Sequence, residues 1–470
     1  MQSLKPKILP FAITLLLSLP HISQASDLSL PYSSWSQVSR LDKPYDPDNP
    51  IAELMSTEEI DIWGRIRKGF GIPDLDNPLV KNQLDWYTSR PDYIERTTNR
   101  ASLYLYHVVE ELEKRHMPTE LALLPFIESA FNPQAHSSAN AAGMWQFIPS
   151  TGRLFNLKQN AFMDERRDVI ASTDAALNYL QKLYDMFGDW QLALAAYNWG
   201  EGSVQRAINR NRAAGKPIDF NSLASQMPEE TRNYVPKLQA VKDIIANPGR
   251  YGLTLPKVDN QPYFVTIDKT HDIDIKVAAK LAELSVDEFK ALNPQFNRPV
   301  ITGTDTQILL PKSNAEKFKE NLANWGHALS SWTAHKVTAA RERVEAIAKK
   351  FGTTAALIRQ VNHIPPGMQL KAGSVVLVPK PEAAASKDIA QAMVDNAIIA
   401  VEPEVRTIYV KVLRHDTLGA IAMRHHVSVA QLKMWNHMHN DVVIAGHSLQ
   451  IMVPYHSAGR HRVVASRSRR

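Results

Sequence analysis

The chain of 470 residues contains no cysteine. That excludes disulfide frameworks, thiolate metal sites and a cysteine nucleophile, and it removes the N-terminal Cys on which a lipid anchor is built. Long apolar runs are also missing beyond Ala25, so no later segment has the ~20 apolar residues of a spanning helix. There is no His-Glu-x-x-His, no Walker loop and no Gly-x-Ser-x-Gly, which leaves zinc proteases, NTPases and ordinary esterases without their chemistry. No cofactor and no metal are expected. His425-His426 and His437-Met438-His439 could hold an ion by spacing, but they fall inside a repeat and read as structural or surface residues.

Acidic residues are absent from positions 456–470, which carry Arg460, Arg462, Arg467, Arg469 and Arg470. The formal net charge is +6, and two of those charges, Lys5 and Lys7, sit before Ala25. Without that segment and the tail the chain is close to neutral, so its basicity marks a solvated arm rather than a nucleic-acid face. No nucleic-acid partner is expected; the arm either touches an anionic wall or membrane or has no partner. Lys5 and Lys7, the apolar run Ile8–Leu19 and the small-residue end Ser23-Gln24-Ala25 read as a secretory signal peptide spanning positions 1–25. The expected location is therefore outside the cytoplasm, in the periplasm, wall- or membrane-associated without a lipidated Cys.

With 44% apolar and 22% charged residues the rest should fold, and 470 residues exceed the ~250–300 of one core. After a Ser-, Asp- and Pro-rich leader (26–55), Ser56-x-x-Glu59 reads as a capping box ahead of Ile60, Trp63, Ile66 and Phe70. Helices are predicted over 79–88, 91–115, 119–130, 171–187, 190–199 capped by Asp189, 202–212 and 229–245. The region 56–256 is thus expected to be all-helical.

Beyond Pro256 one pattern occurs three times. Tyr263, His335 and Tyr409 each open a short β-like run, and Asn293, Asn362 and Asn436 follow at nearly constant spacing. Pro311, Pro379 and Pro454 close each unit, again at nearly constant spacing from the Asn. Two short helical stretches lie between the runs, which predicts a βααβ unit over 263–312, 335–380 and 407–455. The stretches 313–334 and 381–405 read as linkers.

The most informative stretch is Leu121-Ala-Leu-Leu-Pro-Phe-Ile-Glu128-Ser129-Ala-Phe-Asn-Pro133. Its apolar residues are not confined to one stripe, so the helix should be buried on most sides, with Glu128 near its end. A carboxyl there is disfavoured as an anion, its pKa rises, and it suits a general acid near neutral pH. An exposed surface glutamate is the other reading of the same pattern. Around Glu128 the motifs supply no evident second acid; Asp164, Glu165, Asp168 and Glu201 look like solvated helix ends.

Glu128-Ser129-Ala-Phe-Asn-Pro, Gly143-Met144-Trp145-Gln146-Phe-Ile-Pro149-Ser-Thr-Gly152, Ala196-Tyr197-Asn198-Trp-Gly200 and Glu230-Thr231-Arg232-Asn233-Tyr234-Val235 stand in that order. Together they resemble the four motifs of the lytic transglycosylase domain, a relative of goose-type lysozyme, with a motif core at 118–246. The repeats resemble LysM modules. The third is closest, with Asp416-Thr417-Leu418, then Trp435-Asn436, then Gly446-x-x-Leu449; the first departs furthest.

The resemblance implies a multidomain chain, an all-α lysozyme-like catalytic domain followed by small α+β (βααβ) modules. It implies that Glu128 is acid and base, that Ser137, Gln146, Tyr197, Asn198 and Tyr234 line a glycan cleft, and that the partner is the glycan strand of peptidoglycan. Trp145, Tyr197 and Trp199 offer aromatic faces suited to sugars, although Trp190, Trp199 and Phe187 read equally as core. In the third repeat Asp416, Thr417 and Asn436 are candidate glycan contacts, while an Asn that only bonds the adjoining turn is the alternative. In the implied reaction one carboxylate suffices, because the muramoyl C6 hydroxyl is the nucleophile and closes a 1,6-anhydro ring. A water-using muramidase with two carboxylates and a non-catalytic wall-binding scaffold are the alternatives.

Overall fold

The computed structural model describes residues 61–381 and 387–454. The signal segment, the leader, the Ser56–Glu59 capping box and the Arg-rich tail lie outside them.

The region 62–251 is helical, and local chemistry sets most of the boundaries. Asp61 accepts from the Trp63 amide at 3.1 Å to start Ile62–Lys68, and Asn77 with Pro78 starts Pro78–Thr88. Asp168 caps Val169–Phe187, which ends on Gly188 at φ +65°, and Asp189 caps Trp190–Trp199 through the Leu192 amide at 2.9 Å. Glu201–Ala213, Phe220–Leu223 and Glu229–Ala246 follow. Glu229–Ala246 is the central strut: it packs on Pro78–Thr88, on Trp190–Trp199 and on the helix that ends at Glu128. One apolar core joins all of these.

Three expectations need correction. The helix predicted over 91–115 is two, Pro91–Ala101 and Leu105–Lys114. The stretch 119–130 is a 3-10 turn, Thr119–Leu123, running into a short α-helix, Leu124–Glu128. Pro149–Leu154 is a helix that periodicity did not signal.

The three repeats share one build. In the first, β1 (Phe264–Asp268) pairs antiparallel with β4 (Gln307–Pro311) around helices Ile275–Leu281 and Val286–Leu292, with short β2 (Ile273–Asp274) and β3 (Val300–Ile301) between. In the second, β5 (Trp332–Lys336) pairs with β8 (Val375–Pro379) around Val344–Lys350 and Ala355–Asn362, with β6 (Arg341–Glu342) beside β7 (Met368–Lys371). β9 is Val401–Pro403, and the third repeat pairs β10 (Val405–Lys411) with β11 (Ser448–Pro454) around Leu418–Arg424 and Val429–Trp435.

The recurring Asn has the same wiring each time. Asn293 donates to Phe289 O (3.0 Å) and Leu309 O (2.7 Å) and accepts from Leu309 N (2.8 Å). Asn362 does so with Ile358 and Leu377, and Asn436 with Leu432 and Gln450. The side chain ties the end of the second helix to the closing strand, replacing backbone partners that both elements lack there.

The two stretches read as linkers are part of the fold. Lys312–Ala323 is a helix that sends Phe318 into the first repeat's core. Of 381–405, Ile389, Val394 and Ala397 join a core between repeats, and β9 adds an edge strand to β7. The first repeat is bonded to the helical region. Met163 pairs with Phe296, Asp164 N donates to Gln295 O (2.9 Å), Asn297 Nδ2 to Asn160 O (3.1 Å), and the Tyr104 hydroxyl to Ala291 O (2.7 Å).

Candidate active site

Glu128 stands at the C-terminus of Leu124–Glu128, behind the buried run Leu121–Phe126. The chain then reverses through Ala130 (φ 51°) and Phe131 (φ 53°), whose amide bonds back to Pro125 O at 2.9 Å. Arg100 Nε fixes this turn on Ala130 O at 2.7 Å. A one-turn helix ended this abruptly delivers its last side chain into the space beside Glu229–Ala246 and Trp190–Trp199.

There the Tyr234 hydroxyl donates to Glu128 Oε1. Burial pushes the Glu128 carboxyl up to about 7; the Tyr234 hydrogen bond pulls it down, the negative charge of Glu230 adds to the rise, and Lys237 opposes it. Glu120, a few residues earlier and fully buried where Glu128 is half-buried, shows what a purely structural carboxylate looks like here. It accepts from the amides of Gly71 and Ile72 at 2.9 Å and lies 3.2 Å from Lys242. Glu128 has no such cation in hydrogen-bond contact among the described residues, and its proton can be held near neutral pH.

Tyr197 and Tyr234 both feel the Glu128 charge, and burial raises both phenols well above their ordinary value. The Tyr197 hydroxyl donates to Trp145 O at 2.9 Å. Asn198 accepts from Thr231 Oγ1 (2.7 Å) and donates to Glu230 Oε1 (3.3 Å), so the third and fourth motifs are joined side chain to side chain. Ser137 and Gln146 sit on a compact loop in which His136 pairs with Ala142 and Ala142 with Phe147. Ser137 Oγ accepts from Ala141 N (3.1 Å), and Gln146, at φ 51°, donates to Gly143 O (2.8 Å). That loop is tied to the Glu128 turn by Ser129 Oγ donating to Met144 O at 2.9 Å.

Gly143 (φ +85°) is required where it stands, since a Cβ would meet Arg166 O at 1.9 Å. Arg166, held by Asp164 at 2.7 Å, donates to Asn140 O and Phe147 O and braces the loop from behind.

Trp145 is fully buried with its indole N–H on Thr173 Oγ1, so it presents no face to a sugar, which corrects its expected role. Trp190 stacks on Tyr184 at 4.3 Å, as a core residue would. Asp164, Asp168 and Glu201 are engaged by Arg166, by helix amides and by Tyr179 respectively. The acid that sequence reading passed over is Glu230: it lies inside the fourth motif and acts on Glu128 electrostatically. The motif itself was the signal that could have found it.

In the third repeat, Asp416 accepts from Leu413 N and pairs with Arg424 at 2.6 Å, and Thr417 caps its helix through Ala420 N. Asn436 spends both N–H groups and its oxygen on the helix–strand tie, which corrects its reading as a sugar contact. His426 and His437 occupy left-handed positions beyond helix ends (φ 54° and 53°), the structural reading of those histidines. His107, Glu110 and Glu111 bring ligand atoms within 4.8 Å of one another, but Glu111 is already paired with Arg115 and Lys114.

Comparison with known proteins agrees with this partition. Residues 106–220 match the Transglycosylase SLT domain, 263–326 match "Lytic transglycosylase MltD, LysM-like domain", and 342–379 and 410–451 match the LysM domain. The chain is 37% identical over 390 residues to the membrane-bound lytic murein transglycosylase D of Escherichia coli K12, covering 80% of this chain and 82% of that one. It is 31% identical over 119 residues to the soluble lytic murein transglycosylase of the same organism, covering 24% and 18%. The crystal structure of the 70 kDa soluble lytic transglycosylase of Escherichia coli aligns at 18% identity and TM-score 0.26, over 42% of this chain and 44% of that one. On the long, well-covered identity, the chain belongs to the membrane-bound lytic murein transglycosylase D family.

Proposed function

We propose that this protein cleaves the β-1,4 bond between N-acetylmuramoyl and N-acetylglucosaminyl residues of peptidoglycan without water, leaving 1,6-anhydromuramoyl ends. The observation that carries the reading is Glu128: a carboxyl raised to about 7 by burial, hydrogen-bonded by Tyr234 and, among the described residues, without the amide and cation partners that Glu120 has. The acid gives its proton to the glycosidic oxygen as the C1–O bond breaks. The resulting carboxylate then takes the proton of the muramoyl C6 hydroxyl, whose oxygen bonds to C1. The proton returns to Glu128 and no water is consumed.

In this reading Ser137, Gln146, Tyr197, Asn198 and Tyr234 shape the cleft around that step. The region 56–256 forms the catalytic domain, and 335–380 and 407–455 hold the polymer. The signal segment ending at Ala25 directs export to the periplasm, and the Arg-rich tail contacts an anionic wall or membrane.

Glu230 gives the muramidase alternative its one specific support, as a second carboxylate near Glu128. Mass spectrometry of the muropeptides released from isolated sacculi decides. Anhydro ends are expected; reducing ends on every product would overturn the lyase reading in favour of hydrolysis.

A further inference from the structure

Arg298, just past the second helix of the first repeat, is 7% exposed, yet no acidic side chain pairs with it among the described residues. Its Nη1 reaches Asn297 O (3.4 Å) and His363 Nδ1 (3.1 Å), and its Nη2 reaches Asn362 O (3.4 Å). Because Arg has no acceptor, the His363 contact needs a neutral ring with its lone pair on Nδ1; burial and the Arg298 charge both lower the His363 pKa, in agreement. Burial alone lowers the guanidinium, to about 10, with no carboxylate to offset it. A guanidinium largely removed from water and bonded only to neutral acceptors carries a desolvation cost that an anion reaching its remaining N–H groups would offset.

Arg298 lines an open cavity of about 560 Å³ where the helical region, the first repeat and the second repeat meet. Gln159 and Asn160 contribute from the helical region, and Asn362 and His363 from the second repeat. Pro365, Ile398, Ile399 and Val401 add apolar lining, and Ile398 is left 57% exposed. The lining mixes polar and apolar residues around a single charged group, and the cavity is open to solvent, which suits an extended segment of a larger molecule. Nε–H and the second N–H of Nη2, the edge suited to a two-pronged carboxylate contact, take no bond among the described residues.

We infer that this junction cavity is a second substrate site that takes a carboxylate-bearing short peptide, with Arg298 gripping the carboxylate and the Ile398 wall covering the aliphatic part. The inference rests on the peptidoglycan reading above, which makes the peptide stem of the same polymer the occupant. Its position at the meeting of three bodies gives it a role distinct from cleavage: a strand whose stem is seated there is held against the helical region and both repeats at once.

Isothermal titration of the full chain tests it with three probes: the stem tetrapeptide L-Ala-γ-D-Glu-L-Lys-D-Ala with free carboxylates, the same peptide with every carboxylate amidated, and inorganic phosphate. The free-acid peptide is expected to bind at least about tenfold more tightly than the amide, and Arg298→Gln is expected to abolish that difference. Equal binding of acid and amide forms, an unchanged preference in Arg298→Gln, or phosphate binding as tightly as the peptide would overturn the proposal. If Arg298→Gln does not fold, Arg298→Lys and the wild-type acid-to-amide ratio still decide. Anhydro-end release is measured on the same preparation, so failure of the cleavage reading and failure of this site are seen separately.

Discussion

The helical region and the third repeat break the ordinary rule of burial in opposite directions. In the helical region the titratable carboxyl of half-buried Glu128 is kept largely from water beside Tyr234, with no cation bonded to it among the described residues. In the third repeat the polar residues Asp416, Thr417 and Asn436 are consumed by internal bonds, while Tyr409, Met423 and Met434 stand 73%, 75% and 65% exposed. A buried polar group and exposed large apolar side chains are the two departures that carry information, since single exposed apolar residues are common. Here they separate the jobs: acid chemistry needs a group kept from water, and gripping a sugar polymer needs apolar faces offered to it. The first repeat differs from the third in being bonded to the helical region through Ala291, Gln295, Phe296 and Asn297. It agrees with this that the general LysM match skips it and a separate LysM-like family claims it.

The strongest way to break the comparison is Glu128→Gln, which keeps the shape and hydrogen bonds but cannot donate a proton. Anhydro-end release should fall by at least ~10²–10⁴-fold, and residual activity within about tenfold of wild type would remove Glu128 from the mechanism. The same variant tests burial. The folded pKa lies above the unfolded value, so ionisation destabilises the native state: wild type loses stability as pH rises from about 4.5 through about 7. Melting of Glu128→Gln against wild type should show no difference well below pH 4.5 and an advantage to the Gln variant above pH 7.

Truncation after Glu404 sharpens the other half. That end point keeps β9 and the Glu404 ion pairs with Arg343 and Arg359, which a cut at 381 would destroy. Retention on insoluble sacculi should weaken by about tenfold or more through lost avidity, with cleavage of short soluble glycans nearly unchanged. Repeating the assay at low and high salt separates the proposed arginine contribution of the tail, which screening would weaken, from a sugar-binding surface, which is largely spared.

Smaller effects distinguish docked from undocked repeats. Asn293→Ala leaves a buried strand amide and carbonyl unpaired and should cost about 2–3 kcal/mol in denaturant unfolding; Asn436→Ala, half-buried in the third repeat, should cost about 1 kcal/mol. Smallest are two shifts of opposite sign in the pH profile of kcat/KM. Tyr234→Phe removes the donor that lowers the Glu128 pKa and should move the alkaline limb upward; Glu230→Gln removes the charge that raises it and should move the limb downward.

Much of this was legible from residues alone, because the signals are local. Asp189 as a cap, the thrice-repeated Asn and the apolar approach to Glu128 act within a few residues of themselves. What escaped depends on distant contact. The break at Ser102–Tyr104 contains a tyrosine, Tyr104, whose hydroxyl bonds to Ala291, 187 residues away. The segments taken for linkers find their apolar partners in neighbouring modules. Trp145 looked like a sugar platform because sequence cannot say which face of a loop a side chain takes, and Glu230 reaches Glu128 only after Glu229–Ala246 docks beside Leu124–Glu128.

The central claim is that Glu128 keeps a substantial protonated fraction near neutral pH, where an ordinary glutamate is fully ionised. Carboxyl ¹³C NMR titration of the full chain with labelled glutamate, subtracting the spectrum of Glu128→Gln, isolates this one group. The account predicts a resonance titrating near pH 7. A midpoint at the ordinary glutamate value of about 4.3 would contradict it, since the carboxyl would then be an anion with no proton to give.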